Sequence, residues 1–183
     1  MLFALGTGIS APYWVIRVNE IVGIKYFGIA FGISILFQSL GALLVGRYVT
    51  KHLNAVIFTQ FIFAGVVLLF STNLSFNSVM VLEVIIGILM AVQVVCVPVL
   101  IAEMSEKSNL GKRYGYFHSL DGIAVGLAMI MGSSISVMFG VNSMFFLGAL
   151  FIFCSALLLW LASLQRTKLD SSQKVVEARI QSK

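Results

Sequence analysis

The sequence predicts an all-α membrane protein with six transmembrane helices, and three observations support this fold class. The chain is 60% hydrophobic and only 10% charged, whereas a soluble domain carries about 25% charged residues. Its apolar residues gather in long continuous runs, and crossing a bilayer core of about 30 Å takes about 17–25 such residues. Its basic residues lie almost entirely on one side of those runs. Such runs also exclude a membrane barrel, whose strands alternate over about 10 residues.

Six apolar stretches define the predicted helices: residues 1–16, 26–46, 55–71, 79–102, 114–139 and 143–164. The first is short because it begins at Met1. It lacks the basic leading residues and the cleavage site of a signal peptide, so we expect it to remain as a helix. Residues 1–164 are expected to form one transmembrane domain. Residues 165–183, with alternating charges, are expected to form a solvated cytoplasmic tail.

The positions of the charges predict the orientation. The first connection holds only Arg17 and Lys25, and the third and fifth hold no charge. The second and fourth connections and the tail hold the other basic residues: Arg47, Lys51, Lys107, Lys112, Arg113, Arg166, Lys168, Lys174, Arg179 and Lys183. Because basic residues stay on the cytoplasmic side, we expect both termini to be cytoplasmic in a plasma (inner) membrane. The net charge of +5 then reflects topology and not nucleic-acid binding.

Several function classes are disfavoured by composition. Cys96 and Cys154 both fall inside predicted helices, which excludes a disulfide framework and a cysteine metal site. No nucleotide-binding loop is present, so we expect no ATPase. Two histidines, no acidic cluster and no Gly-x-Ser-x-Gly motif argue against a membrane enzyme. No cofactor or metal is expected.

Polar residues are unevenly distributed among the predicted helices. The third offers Thr59 and Gln60 and the sixth Cys154, Ser155 and Ser163, whereas the first, second, fourth and fifth carry more polar residues. Polar groups inside a membrane normally face protein or water. We therefore expect the third and sixth helices to be peripheral and the other four to border a polar interior.

Small residues recur at four-residue spacing, which lets helix backbones approach closely. The pairs are Gly28 and Gly32, Gly111 and Gly115, Gly122 and Gly126, and Gly132 and Ser136. Two interpretations remain open: packing within this bundle, or close contact with a second bundle.

Two loops and one helix resemble half of a major facilitator superfamily transporter. The turn at residues 41–52, with Gly46, Arg47 and Lys51, is similar to the family's loop between the second and third helices of a half. Thr50 replaces its usual aspartate and Leu53 a usual glycine. Residues 103–115, with Gly111, Arg113 and Gly115, resemble the connection into the fifth helix. The glycine-rich segment 122–132 resembles that fifth helix, without the Gly-Pro of drug/proton antiporters.

The resemblance covers nearly the whole chain and implies a secondary carrier that moves a small solute by alternating access, with substrate near the midplane between two six-helix halves. The degenerate loop signature, the basic tail and the start at Met1 favour the C-terminal half, helices seven to twelve. A second six-helix half is expected upstream in the same chain, as a separate subunit or as a homodimer. The alternative is a non-transporting fragment, or a scaffold protein that needs a partner bundle.

Asp121 is the leading candidate for coupling to an ion. It lies nine residues beyond Lys112, about 13 Å along a helix, where an ionised carboxylate needs a partner, water or a proton. His118 and Tyr114 precede it on the same helical face. A His–Asp pair is suited to carry a proton, so protons are a candidate partner. A purely structural hydrogen-bonded pair is the alternative.

The other candidates are uncharged or lie near a helix end. Gln38 and Gln93 are expected to hydrogen-bond a solute, or each other as interhelical contacts. Tyr13 and Trp14 suit either an interfacial aromatic belt or stacking on a solute at the outer mouth. Arg17 is expected to pair with Glu20 at that mouth. Glu83, at the start of the fourth helix, suits the helix dipole, and Pro98 is expected to bend that helix. Arg47, Lys51 and Arg113 are candidate cytoplasmic gate residues or simple anchors.

Overall fold

Six α-helices account for nearly all of the chain that the computed structural model describes, namely the backbone of residues 1–181 and the side chains of residues 1–165 apart from Lys107. The helices are α1 Leu2–Val22, α2 Ile24–Tyr48, α3 His52–Leu69, α4 Phe76–Glu103, α5 Leu110–Phe139 and α6 Val141–Gln181, with a 3-10 turn at Lys107–Asn109. The six predicted helices are therefore confirmed within residues 1–181.

Five of these helices are long and apolar enough to cross a membrane: α2, α3, α4, α5 and the Val141–Gln165 part of α6. The helix α1 is not among them, since it continues through Arg17, Asn19 and Glu20, which were expected to form a connection. It nevertheless packs against α2, α4, α5 and α6. Ser10 and Tyr13 of α1 are buried among the other helices, whereas Asn19 and Glu20 are exposed.

Glycines mark two of the closest helix crossings. A methyl group on Gly6 of α1 would lie 2.6 Å from the Gly148 carbonyl oxygen of α6, and one on Gly148 would lie 2.8 Å from the Gly6 carbonyl oxygen. Gly87 of α4 is similarly pressed against the Ser34 carbonyl of α2. Helix association in lipid depends on such close packing, because lipid tails are as apolar as the side chains.

The main core lies among α1, α3, α4 and α6. Phe70 at the end of α3 and Phe145 of α6 are each 1% exposed, and their rings stack with centroids 6.0 Å apart. Other buried members of this core are Ile9, Val18, Phe63, Val79, Met144 and Ile152.

Burial within the chain does not follow the expected division into peripheral and interior helices. In α3, eight residues are buried, whereas α2 buries only Ala30 and Ser34 and α5 only Ala124, Ala128 and Gly132. Among the described residues, α2 and α5 are thus the most exposed helices. The expectation that α3 and α6 would be the outer pair is wrong for this chain taken by itself.

The last helix extends past the predicted membrane boundary. The backbone of α6 remains helical for 41 residues, about 60 Å at 1.5 Å per residue and twice the bilayer core. The predicted tail from residue 165 therefore begins within α6. The basic side chains expected there, from Arg166 onward, lie outside the described side chains.

The connections define two ends of the bundle. The Gly23 end holds Gly23, residues 70–75 and Gly140, and the Lys51 end holds residues 49–51 and 104–109. Gly23 and Gly140 have φ of 76° and 80°, left-handed values that glycine adopts at little cost. Each therefore joins two helices with a single residue.

Candidate functional site

A cavity of about 280 Å³ lies inside the bundle, between α1, α2, α3, α4 and α6. Most of its wall is aromatic or aliphatic, with Phe31, Phe63, Phe70 and Phe145 among its residues. Its polar groups are the side chains of Thr7, Ser10, Trp14, Ser34 and Gln38. An apolar cavity with a few polar groups is the usual form of a small-molecule site.

The cavity's polar groups differ in how far they are already satisfied. The hydroxyls of Thr7 and Ser10 donate to carbonyl oxygens one turn back in α1, at 3.1 Å to Phe3 and 2.9 Å to Gly6. Gln38 has no hydrogen-bond partner among the residues the structure describes. Its amide therefore has both a donor and an acceptor left to offer.

Gln93 has a different role from Gln38. Its Nε2 donates to Thr59 Oγ1 at 3.1 Å, joining α4 to α3 at a buried position. The expectation that the two glutamines bond to each other is therefore wrong, because they face different neighbours. Gln93 is positioned as an interhelical contact.

Trp14 and Glu83 form a buried contact between α1 and α4. The indole Nε1 of Trp14 donates to Glu83 Oε1 at 2.9 Å, and Glu83 is 0% exposed. The Ser34 hydroxyl of α2 is the other polar group close to the carboxyl. Glu83 Oε2 has no hydrogen-bond partner among the described residues. Three helices therefore enclose one carboxyl group.

Sequence reasoning placed Glu83 at a helix terminus, where it would face the helix dipole. It lies instead seven residues into α4 and points into the bundle. A signal was available, since Glu83 and Asp121 are the two acidic residues within the six predicted spans. The sequence does not show that Glu83 is buried, because its burial comes from the packing of α1 against α4.

Tyr13 also faces the inside of the bundle. Its hydroxyl donates to the Gly132 carbonyl oxygen of α5 at 2.9 Å, and the residue is only 7% exposed. Trp14 packs against Phe27 and Phe31 of α2, with ring centroids 6.2 and 5.9 Å apart. The two residues are thus helix contacts, which does not fit an interfacial aromatic belt.

Arg17 links α1 to the Gly23 end of the bundle. Its Nη2 donates to the Thr72 carbonyl oxygen at 3.0 Å, and its Nη1 lies 3.5 Å from Glu20 Oε2. The expected ion pair is present, but its glutamate side chain is 57% exposed, so the pair itself stabilises little. The bond to Thr72 is the contact that joins α1 to the α3–α4 connection.

His118 and Asp121 lie on the sparsely covered helix α5. The His118 ring stacks on Tyr114 with centroids 6.2 Å apart. Within the described residues His118 and Asp121 make no hydrogen bond to each other, and Asp121 has no partner. His118 is exposed and Asp121 half-buried. A structural hydrogen-bonded pair is therefore not formed in this conformation.

Several charged residues lie at the Lys51 end. Arg113 Nη1 donates to the Met104 carbonyl oxygen at 2.6 Å, and the Arg47 guanidinium lies 5.4 Å from the Tyr48 ring centroid. A further contact, His52 Nδ1 to Glu103 Oε1 at 3.3 Å, joins α3 to α4 and was not anticipated.

The remaining loop candidates make few contacts. Lys51 immediately precedes α3 and makes no ion pair with any described side chain. A methyl group added to Gly46, Gly111 or Gly115 would meet nothing within 4 Å in the described part of the chain. These glycines are therefore not required for packing inside this bundle.

A family model described as Major Facilitator Superfamily matches residues 1–181. No curated protein and no solved structure matches the chain.

Proposed function

This chain belongs to the major facilitator superfamily, and from that premise we propose that it is one half of a secondary carrier that moves a small solute by alternating access. The family is one of membrane transporters, and five apolar helices of this chain are long enough to span a bilayer. The free energy for transport comes from an ion gradient or from the solute gradient itself. The proposal rests chiefly on the family match over nearly the whole chain.

The exposed faces of α2 and α5 support a second six-helix half. Glycines on both helices, Gly28, Gly32, Gly122 and Gly126, have open space around them in the described chain. Large apolar side chains flank them, among them Ile29, Ile123 and Leu127. Small residues flanked by large ones suit close packing against another helix. The second half is an upstream part of the same chain, a separate subunit or a second copy.

The volume and the lining of the cavity support the proposal that the solute is small and mainly apolar. A cavity of about 150 Å³ holds one benzene molecule, so one of about 280 Å³ accommodates a solute of about ten non-hydrogen atoms. Gln38 is the proposed polar contact because its amide has no partner among the described groups. Trp14 would supply an aromatic face.

Asp121 and His118 remain the proposed coupling pair. Both lie on α5, beside the face left for the second half, and Asp121 has no partner within the described residues. A half-buried carboxyl at such a place can bind and release a proton as water reaches it. Neighbouring Tyr114 would orient the His118 ring by stacking.

We propose that the Lys51 end is cytoplasmic, in a plasma membrane, with Gly46, Arg47, Lys51, Gly111, Arg113 and Gly115 as gate contacts to the second half. The basic residues at this end support that orientation. A membrane-impermeant thiol reagent on intact cells should label Ser75→Cys, at the Gly23 end, and spare Lys51→Cys. The reverse labelling would contradict the orientation.

The central experiment compares solute movement driven by a proton gradient with solute exchange at equilibrium, in vesicles holding the full carrier. Asp121→Asn should abolish gradient-driven movement while leaving insertion and exchange intact. Glu106→Gln removes an equal charge from an exposed residue and should change neither. Full gradient-driven movement by Asp121→Asn would contradict the coupling role.

A non-transporting fragment or scaffold is the second candidate, favoured by the uncovered faces of α2 and α5. If every solute tested failed to move in vesicles that also contain the partner bundle, that candidate would replace the first.

A further inference from the structure

Glu83 is a buried ionisable group for which the proposed function has no use. It is 0% exposed, and it is held by Trp14 at 2.9 Å behind the wall of the cavity. Trp14 and Ser34, its two polar neighbours, both line that cavity. The carboxyl therefore lies one side chain away from the space where a solute would bind.

No cation balances this carboxyl among the described side chains. On α1, the nearest charged residue along the helix, Arg17, is occupied by Thr72 and Glu20. On α2, Lys25 lies over the Tyr26 ring at 5.4 Å. On α3, the titratable residue His52 lies at the Lys51 end, where it contacts Glu103 of α4. Neither ion pair of the described residues includes Glu83.

Burial disfavours an ionised carboxylate in this position. Burial of an unpaired charge costs far more than burial of a neutral polar group, and the described residues place only the Trp14 indole and the Ser34 hydroxyl against the carboxyl, with no cation. A neutral carboxylic acid keeps the Trp14 bond to its carbonyl oxygen. Its own hydroxyl can then donate toward Ser34.

We propose that Glu83 is a proton-binding site of this bundle. Trp14 closes the site in this conformation, and the bound proton exchanges with water only when α1 separates from α4. Opening the Trp14 contact admits water from the cavity and stabilises the carboxylate, so the proton leaves. Closing it expels water and favours proton uptake. If the chain acts as the proposed carrier, this site would couple solute entry to proton release at a place separate from Asp121.

The site can be tested by infrared spectroscopy on the full chain in lipid vesicles, without any transport assay. Protein with carbon-13 in its glutamate carboxyl groups should show, at neutral pH, a protonated-carboxyl band that shifts with the isotope. Asp121 is not labelled, and the described glutamates Glu20, Glu103 and Glu106 are exposed controls. The band should vanish in Glu83→Gln and weaken as the pH rises.

A missing isotope-sensitive band at neutral pH, or one that survives in Glu83→Gln, would overturn the proposal. If Glu83→Gln fails to insert, Trp14→Phe serves instead. Loss of the indole donor must move the band frequency, and an unmoved band would also overturn it. If the band is present but no solute is transported, the carrier function is refuted and the proton site is not. If solute is transported but the band is absent, the proton site is refuted and the carrier function is not.

Discussion

At the scale of single residues, the contact between Trp14 and Glu83 is the most consequential in the described chain. It joins α1 to α4 through one hydrogen bond and leaves a carboxyl oxygen unsatisfied. Buried polar groups normally find partners, so an exception at the edge of a cavity suggests a functional role. Tyr13, one residue earlier, is satisfied by Gly132 and has a structural role.

Replacing Trp14 with Phe should destabilise the bundle by about 1–2 kcal/mol, because it leaves the Glu83 carboxyl without its N–H donor. Thermal unfolding in detergent measures this loss. Trp160→Phe, at a 46% exposed position, is the matched control and should have little effect. The double variant Trp14→Phe with Glu83→Leu should recover much of the loss, since it removes both partners. Equal stability of Trp14→Phe and Trp160→Phe would contradict this account.

At the scale of helices, small residues decide which pairs approach most closely. Gly87 allows α4 to lie against the Ser34 carbonyl of α2, and the Gly6–Gly148 pair does the same for α1 and α6. The glycine pairs that the sequence made prominent, including Gly28 with Gly32, have open space instead. Four-residue spacing identifies surfaces suited to close packing but does not say whether the partner is in the same chain.

Gly87→Ala should lower stability by about 1–3 kcal/mol, because the added methyl group meets backbone and not a movable side chain. Gly65→Ala is the control, since nothing lies within 4 Å of that position on α3. There alanine should be neutral or stabilising, given its higher helix propensity. Denaturant unfolding of the two variants checks the difference, and a Gly87→Ala variant as stable as Gly65→Ala would show that α2 and α4 are less tightly packed.

At the scale of the whole molecule, the bundle is asymmetric. Its core lies among α1, α3, α4 and α6, whereas α2 and α5 bury few residues in the described chain. In a carrier of two halves, those two helices would be covered by the second half. The division into peripheral and interior helices expected from polarity would then apply to the complete carrier.

Spin labels at Gly28→Cys and Gly126→Cys, in a background with Cys96→Ala and Cys154→Ala, should collide less with bilayer-dissolved oxygen than a label at Gly65→Cys. The second half would shield the first two positions, whereas Gly65 on α3 would face lipid. Electron paramagnetic resonance in native membranes measures the collision rates. Equal rates at all three positions would mean that no second bundle covers α2 and α5.

The sequence by itself determined the fold class, the number of helices and which polar side chains are candidates for a functional role. Long apolar runs can satisfy their backbone groups in lipid only as helices, and this requirement is local to each run. The family resemblance also rests on loop residues such as Arg47 and Arg113, which can be recognised from their order in the sequence alone.

Only the tertiary structure decided which of those side chains meet. Glu83 and Trp14 are 69 residues apart, and Gln93 bonds to Thr59 while Gln38 faces the cavity. Such pairings depend on the rotation of each helix about its axis and on which helices are neighbours. Small residues at the crossings set that geometry, and a hydropathy pattern does not contain it.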